Sequence, residues 1–313
     1  MQDNFHPPPH QSSVIIIIII IISCPLLFAG SHNSGTYEVY KEWGVSPDAD
    51  QSVKNLSNIP LIGTMALDII HRWSRCQSLT VLQQLRAGVR YLDLRVAHLA
   101  ATDELRLVHG LYGPTVATCV EQVRAFLDEH GAEVVLLDFN HFYDMELEHH
   151  LQAITYLIHV FDGLLCPRSA LGALTLGSLR RSGKRVVVFY HHSSVMDFPE
   201  LWPPKPALHS AWAETMDVGK CLAFQEEAAR DRHAQERFHV CQAVLTPDTT
   251  SVVQKFASSV EKECARKINE ALPAWLDSGG PVLKGCASPS LVLVVDFVEE
   301  GGGVVPGIVR LNK

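Results

Sequence analysis

The sequence predicts an α/β barrel, because short apolar strands alternate with helices along most of the chain. Runs such as Val134–Asn140 and Leu291–Phe297 are almost continuously apolar, which is typical of parallel strands that are covered on both faces. Neither a linker nor an internal repeat divides the pattern. One closed (β/α)8 TIM-like barrel over about 280 residues therefore fits better than two domains.

The first half of this pattern contains one helix, two strands and a second helix. Leu79–Ala87 is predicted as a helix that ends at a glycine, and Val89–Ala97 and Leu105–His109 are predicted as strands. Apolar residues then recur at helical spacing over residues 116–127. Gly131 follows them at a position typical of a helix C-cap.

The second half continues the alternation. Val134–Asn140 is the third predicted strand, and Leu147–Phe161 is a helix preceded by an acidic, solvated loop. Lys184–Tyr190 and Phe238–Leu245 are predicted as further strands, and Ser251–Trp275 as largely helical. Together with Leu291–Phe297, these strands make up the predicted parallel sheet.

Composition restricts the class of protein. The 313 residues are 47% hydrophobic and 19% charged, as expected for a packed globular chain. The net charge of −8 provides no global basic field, so no nucleic-acid partner is expected. Eight cysteines without a CxxC pair indicate free thiols in a reducing compartment, hence a cytoplasmic protein.

Residues 1–28 form an atypical N-terminal segment with eight consecutive isoleucines, Ile15–Ile22. The apolar stretch is shorter than the ~20 residues that a spanning helix needs. The first 13 residues also lack the Lys or Arg that normally opens a signal peptide. A signal or membrane segment, a buried strand, and a run without a structural role all remain open, but membrane spanning is not expected.

Ionisable side chains cluster where the predicted strands end, which is where a parallel barrel carries its chemistry. Asp93 and Arg95 lie on one face of their strand by period-two alternation; a purely structural ion pair is the alternative. His109 ends the next strand, and Asp138 and Asn140 end the third.

Two further residues extend this set. Asp296 interrupts an apolar run, so its carboxylate needs a histidine or arginine partner. His32 follows an apolar stretch in a short polar run, which is either a plain loop or the rim of an active site. Two histidines can serve as general base and general acid near neutral pH, and Arg95 can neutralise charge on a phosphoryl group. The pattern therefore favours phosphate chemistry, with no metal or other cofactor.

Several motifs resemble those of the phosphatidylinositol-specific phospholipase C X-domain-containing proteins over residues 29–313. They are "AGSHNSGTYEV", "LRAGVRYLDLRVAHL", "LRLVHGLYG", "AEVVLLDFNHFYDM", "LWPPKPA", "FHVCQAVLTP" and "VVDFVEE". The resemblance implies a distorted (β/α)8 TIM-like barrel in a single domain. It also implies a phosphoric diester hydrolase that meets phosphoinositide lipids through transient contact with a membrane surface.

The resemblance also implies residue roles. His32 resembles the general base that deprotonates the inositol 2-hydroxyl, and His109 resembles the acid that protonates the departing diacylglycerol oxygen. Asp296 resembles the carboxylate that orients His32. Arg95 resembles the bacterial arginine that replaces calcium, and Asp93 the carboxylate two residues before it. Calcium-independent cleavage is therefore expected.

The residues expected to contact substrate complete the predicted site. Asn33 stands where bacterial relatives carry an aspartate paired with the acid histidine, a charge that asparagine cannot supply. The other four expected substrate-binding residues are Asp138, Asn140, Tyr190 and Gln242.

Two other functions compete with this interpretation. The first is a metal-dependent phosphodiester or glycosyl hydrolase. Its candidate ligands, which show no convincing metal-ligand spacing, are His141, His149, His150, His191 and His192. A barrel that binds phosphoinositides or acts as a scaffold, with weak or lost turnover, is the non-enzymatic alternative.

Overall fold

The computed structural model of the protein describes residues 26–57, 59, 62–169, 175–231, 237–278, 290–302 and 304–312. The polyisoleucine run and the predictions made for it lie outside these residues. Within the described ranges, the helices are all too short or too polar to cross a membrane.

Strands and helices alternate along these residues, as the sequence predicts. The strands are β1 Leu26–Ser31, β2 Tyr40–Val45, β3 Val89–Leu99, β4 Glu104–His109, β5 Leu111–Thr115, β6 Val135–Tyr143, β7 Val186–Tyr190, β8 Leu208–Ala211, β9 Phe238–Gln242 and β10 Ser290–Val295. The α-helices are α1 Gln51–Ser57, α2 Ile62–Ser74, α3 Val81–Arg86, α4 Val116–Glu129, α5 Leu147–Val160, α6 Leu176–Ser182, α7 Pro204–Ala207, α8 Val218–Asp231, α9 Thr249–Gln254, α10 Arg266–Asp277 and α11 Val304–Leu311.

Parallel strands form the predicted TIM-like barrel, in the order β8-β9-β10-β1-β3-β6-β7. The expectation of a closed barrel needs correction. In the described part of the chain, β7 and β8 share no ladder, and one bridge between Phe189 and Trp202 is the nearest approach to closure. The barrel is therefore distorted and open on one side.

Three strands leave the barrel as an antiparallel extension. β4 pairs with the far end of β3, β5 pairs with β4, and β2 pairs with β5. The prediction that Leu105–His109 is a parallel barrel strand was therefore wrong. The four residues of the β3–β4 turn are too few for the crossover that a parallel pair requires. Because β4 folds back along β3, it still ends near the barrel mouth.

Two apolar layers hold the barrel together. Tyr91, Phe189 and Val240 are among the residues that fill its interior. Leu92 and Leu94 belong to the larger layer between the sheet and the helices. This alternation confirms that β3 turns Tyr91 and Asp93 inward and its leucines outward.

The first strand runs over Leu26–Ser31 and leads into the turn that contains His32. The long helix predicted over Ser251–Trp275 is interrupted by a turn at residues 255–259, followed by a π-helical turn, Glu261–Ala265, that leads into α10. Asp248 caps α9 by accepting a hydrogen bond from the Ser251 amide.

Candidate active site

The turn after β1 carries His32 to the barrel mouth. The His32 amide donates to the Val295 carbonyl at 2.9 Å and so extends the β1–β10 pairing by one residue. Asn33 then adopts a left-handed conformation with φ of 43°, which asparagine tolerates better than most residues. A Cβ at Gly35 would lie 2.0 Å from Leu107 Cδ1, so glycine lets the turn pack on β4.

A buried carboxylate holds the His32 ring. Nδ1 of His32 lies 2.7 Å from Oδ1 of Asp296, which follows β10. Burial lowers the pKa of His32, but Asp296 raises it more and Cys76 adds to the rise, to about 9. Because a carboxylate accepts, the Nδ1–H of His32 donates to Asp296, and this contact fixes the orientation of the ring.

The other nitrogen of His32 faces a guanidinium. Arg95 Nη2 lies 3.0 Å from His32 Nε2. Arginine has no acceptor, so this contact requires a lone pair on Nε2 and favours the neutral ring, opposing the effect of Asp296 on the pKa. The Nδ1–H tautomer with a free Nε2 lone pair is the form that a general base needs.

Asp93 lies beneath this pair and is nearly fully buried. Its Oδ2 is 3.8 Å from both Arg95 Nη2 and His32 Nε2, and it accepts a hydrogen bond from the Asn33 amide at 3.0 Å. Asn140 Nδ2 donates to Oδ1 at 2.5 Å. Burial raises the pKa of Asp93, yet Arg95, His32 and these donors outweigh it, so the pKa is lowered and the carboxylate stays charged.

His109 reaches the same cluster from the end of β4. The His32 and His109 ring centroids are 6.1 Å apart. The His109 Nδ1–H donates to the Ser74 carbonyl at 3.0 Å, and Cys76 Sγ is 3.4 Å from the same nitrogen. Since Nδ1 points into the protein, Nε2 is the nitrogen that remains to meet a substrate.

Asp138 and Asn140 lie beside Asp93 on the neighbouring strand. The Tyr91 hydroxyl donates to Asp138 Oδ2 at 2.5 Å, and Asn140 Nδ2 lies 3.2 Å from the same oxygen. Both residues therefore join the cluster, although their strand continues to Tyr143, three residues past the predicted end at Asn140.

Tyr190, which was predicted to bind substrate, does not lie at the barrel mouth. Tyr190 is fully buried in the outer layer, and its hydroxyl lies 2.9 Å from His150 Nδ1. Since Phe189 faces the interior, period-two alternation turns Tyr190 away from the mouth. His191 reaches the cluster instead, with Nε2 2.8 Å from Asp138 Oδ1.

Gln242 lies on the barrel side of β9, like Val240, and its Nε2 donates to Ser210 Oγ at 3.0 Å. This position at the carboxyl end of a parallel strand is compatible with the predicted contact to substrate.

Three residues of the cluster were not identified from the sequence. Trp212, just after β8, lies against His32 with ring centroids 5.3 Å apart. Gln77 Nε2 donates to the carbonyls of His32 and Val295 and ties the turn to β10. Cys76 is buried between the two histidines. They lie in loops outside the quoted motifs, so no periodic pattern in the sequence marks them.

Comparison with known proteins shows the family to which the chain belongs. No family model matches the chain. PI-PLC X domain-containing protein 3 of Mus musculus is 31% identical over 92% of this chain and 88% of its own. The human PI-PLC X domain-containing protein 2 is 36% identical over 73% of this chain and 74% of its own. The chain belongs to the PI-PLC X domain-containing protein family.

Solved structures show that this PI-PLC X domain-containing protein has the phospholipase C fold. The phosphatidylinositol-specific phospholipase C from Listeria monocytogenes matches with a TM-score of 0.60 and 15% identity, over 92% of this chain and 93% of that one. A mutant of the enzyme from Staphylococcus aureus matches with a TM-score of 0.57 and 16% identity, over 91% of both chains.

The five histidines considered for a metal-dependent hydrolase lie in different parts of the structure. His150 and His192 stack with centroids 3.6 Å apart in the outer layer, and His149 stacks on His98 near the β3–β4 turn. Within the described residues, two groups have the spacing for a metal ion. They are His32, Cys76 and Asp296 in the cluster, and His98, Asp103 and His149 at the surface.

Proposed function

We propose that this protein is a phosphoric diester hydrolase of the phospholipase C type, which cleaves phosphatidylinositol-like lipids without a metal ion. One observation carries the proposal: His32 is held between Asp296 at Nδ1 and Arg95 at Nε2. This arrangement supplies a base and a cation at a single point of the barrel mouth.

The first step is proton removal from the attacking hydroxyl. His32 Nε2 takes the proton of the inositol 2-hydroxyl, and the resulting imidazolium is stabilised by Asp296 at 2.7 Å. The hydroxyl oxygen attacks phosphorus in line and forms a cyclic phosphodiester. To admit the hydroxyl, Arg95 moves its donor from His32 to a phosphate oxygen.

Arg95 then stabilises the charge that develops on phosphorus. Its guanidinium is permanently charged and can hold two oxygens at once. Asp93, 3.8 Å away, keeps the guanidinium at the mouth. Arg95 Nε is buried and makes no hydrogen bond with the described residues, so substrate can supply its acceptor.

Departure of diacylglycerol completes the reaction. His109 Nε2 donates a proton to the leaving oxygen while the phosphorus–oxygen bond breaks. The Ser74 carbonyl accepts a hydrogen bond from Nδ1–H of His109 and so directs Nε2 toward the mouth. No carboxylate from Asn33 is needed, because this carbonyl orients the acid histidine.

An assay on phosphatidylinositol vesicles with EDTA tests the proposal. Wild-type protein is expected to release water-soluble inositol phosphate, and His32→Ala to lose most of this activity. Binding of the vesicles by both proteins without any product would contradict an enzyme and favour a phosphoinositide-binding barrel.

A further inference from the structure

Three side chains that meet at the catalytic cluster have the composition of a zinc site. A ring nitrogen of His32, Sγ of Cys76 and a carboxylate oxygen of Asp296 all lie within 4.8 Å of one another. Each residue is at most 4% exposed. They come from three distant parts of the chain, so the sequence spacing could not reveal the group.

The chemistry of these donors is selective. Thiolate, imidazole and carboxylate together match zinc, whereas calcium and magnesium prefer oxygen ligands alone. Cys76 is a free thiol. Ligand–ligand separations of a tetrahedral zinc ion, with bonds of about 2.0–2.3 Å, are compatible with a group this compact after small side-chain movements.

A second observation points to the same place. Asn33 is 2% exposed, and its Oδ1 is a buried acceptor without a hydrogen bond among the described residues. The Nδ2 of the same amide lies 3.6 Å from Cys76 Sγ and 3.2 Å from His32 Nε2. The amide of Asn33 is therefore next to two of the donors, and rotation of its side chain by about 180° would turn Oδ1 toward them as a fourth, oxygen ligand.

Charge balance also permits a divalent cation here. Asp93, Asp296 and a Cys76 thiolate contribute three negative charges, which equal the charges of zinc and Arg95 together. Binding releases the thiol proton of Cys76, and any proton on the coordinating nitrogen of His32, to solvent. No electron is transferred.

We propose that His32, Cys76 and Asp296 bind zinc, and that the bound ion switches the site off. A His32 ring that ligates zinc and an Asp296 carboxylate that does the same are no longer available as a base and its orienting partner. Binding does not depend on the proposed function, whereas inhibition rests on it. The two consequences are therefore measured separately.

Binding is tested first, on the full chain, by competition between the protein and a chromophoric zinc indicator. Cys76→Ser is expected to weaken zinc affinity at least about 100-fold, since even outer-shell substitutions cost about 10–100-fold. The matched control is Cys119→Ser, which changes a buried free thiol on α4 outside the cluster and should keep wild-type affinity. Equal affinities in all three proteins would overturn the proposal.

A measurement on wild-type protein covers the case in which Cys76→Ser does not fold. Cobalt(II) in place of zinc should give a thiolate-to-metal charge-transfer band, and affinity should fall as pH is lowered because the donors must lose protons. Cobalt bound without that band would exclude Cys76 as a ligand. In the vesicle assay, zinc should inhibit wild type and Cys119→Ser at concentrations near the measured Kd. If zinc binds at Cys76 and the rate of phosphatidylinositol cleavage does not fall, the proposed inhibition is wrong.

Discussion

Arg95 and His32 meet at 3.0 Å, with a guanidinium nitrogen directed at the ring nitrogen that must act as a base. The contact favours the neutral ring and so opposes Asp296, which raises the pKa of His32 to about 9. When a phosphate enters, its oxygens are better acceptors for Arg95 than an imidazole. In the proposed mechanism, substrate binding would therefore free the base and position the cation in the same movement.

The two histidines are expected to be separately required. Replacing either His32 or His109 with alanine should lower kcat by about 10²–10⁴-fold, the usual contribution of one general acid or base. His159→Ala, which changes an exposed histidine on α5, is the control and should retain full activity. Near-normal turnover by a folded His109→Ala variant, checked by circular dichroism, would refute the role of that residue as the acid.

Asp296→Asn should change the pH profile as well as the rate. Asp296 raises the pKa of His32 against the lowering effect of burial. Without the carboxylate, the lowering effect of burial is opposed less and the pKa of His32 falls. Because the base must be unprotonated, the rising limb of kcat/KM should move to lower pH while the maximum falls. A rising limb at the wild-type pH would show that another group controls it.

Arg95→Lys should be severely impaired although the charge is retained. An ammonium is a point charge and cannot hold two phosphate oxygens in the geometry of the guanidinium fork. Arg90→Lys changes another arginine of β3, which pairs with Glu133 outside the cluster, and should leave kcat close to that of wild type. Equal rates for the two variants would show that charge alone suffices.

The buried His150 should make the fold less stable in mild acid. Burial, followed by the charges of His192 and His149, lowers the pKa of His150 to about 4. Between about pH 4 and 6.5 the unfolded chain binds a proton that the folded chain excludes, so stability falls as pH falls through this window. Urea unfolding should show a loss of roughly 1–2 kcal/mol from this group between pH 7 and pH 5.

The matched variant for this effect is His150→Phe, which keeps an aromatic ring beside Phe142 and Tyr190. The variant should lose part of the pH dependence between pH 7 and pH 5. An unchanged pH dependence would assign the acid sensitivity to other groups.

The sequence was sufficient to predict the barrel and most of its strands, because buried parallel strands are continuously apolar. It also placed Asp93 and Arg95 on one face of their strand, and the structure brings both near His32. It failed at Leu105–His109, where an apolar strand of an antiparallel extension has the same local pattern as a barrel strand. Side-chain periodicity alone does not specify the direction of the neighbouring strand.

The errors within the candidate site have a similar cause. Tyr190 was expected at the mouth because it ends its strand, but a shift of one residue turns a side chain to the other face. Cys76 and Trp212 come from loops, and tertiary structure alone brings them to His32. Residues whose role depends on such contacts leave no periodic pattern in the sequence.

The most direct test of the central claim is the initial rate of phosphatidylinositol cleavage in chelator against the rate in millimolar calcium. A calcium site would need several oxygen ligands at about 2.3–2.6 Å, and Arg95 already places a fixed cation 3.8 Å from Asp93. The account predicts the same rate under both conditions. No cleavage in chelator and full cleavage in calcium would contradict it.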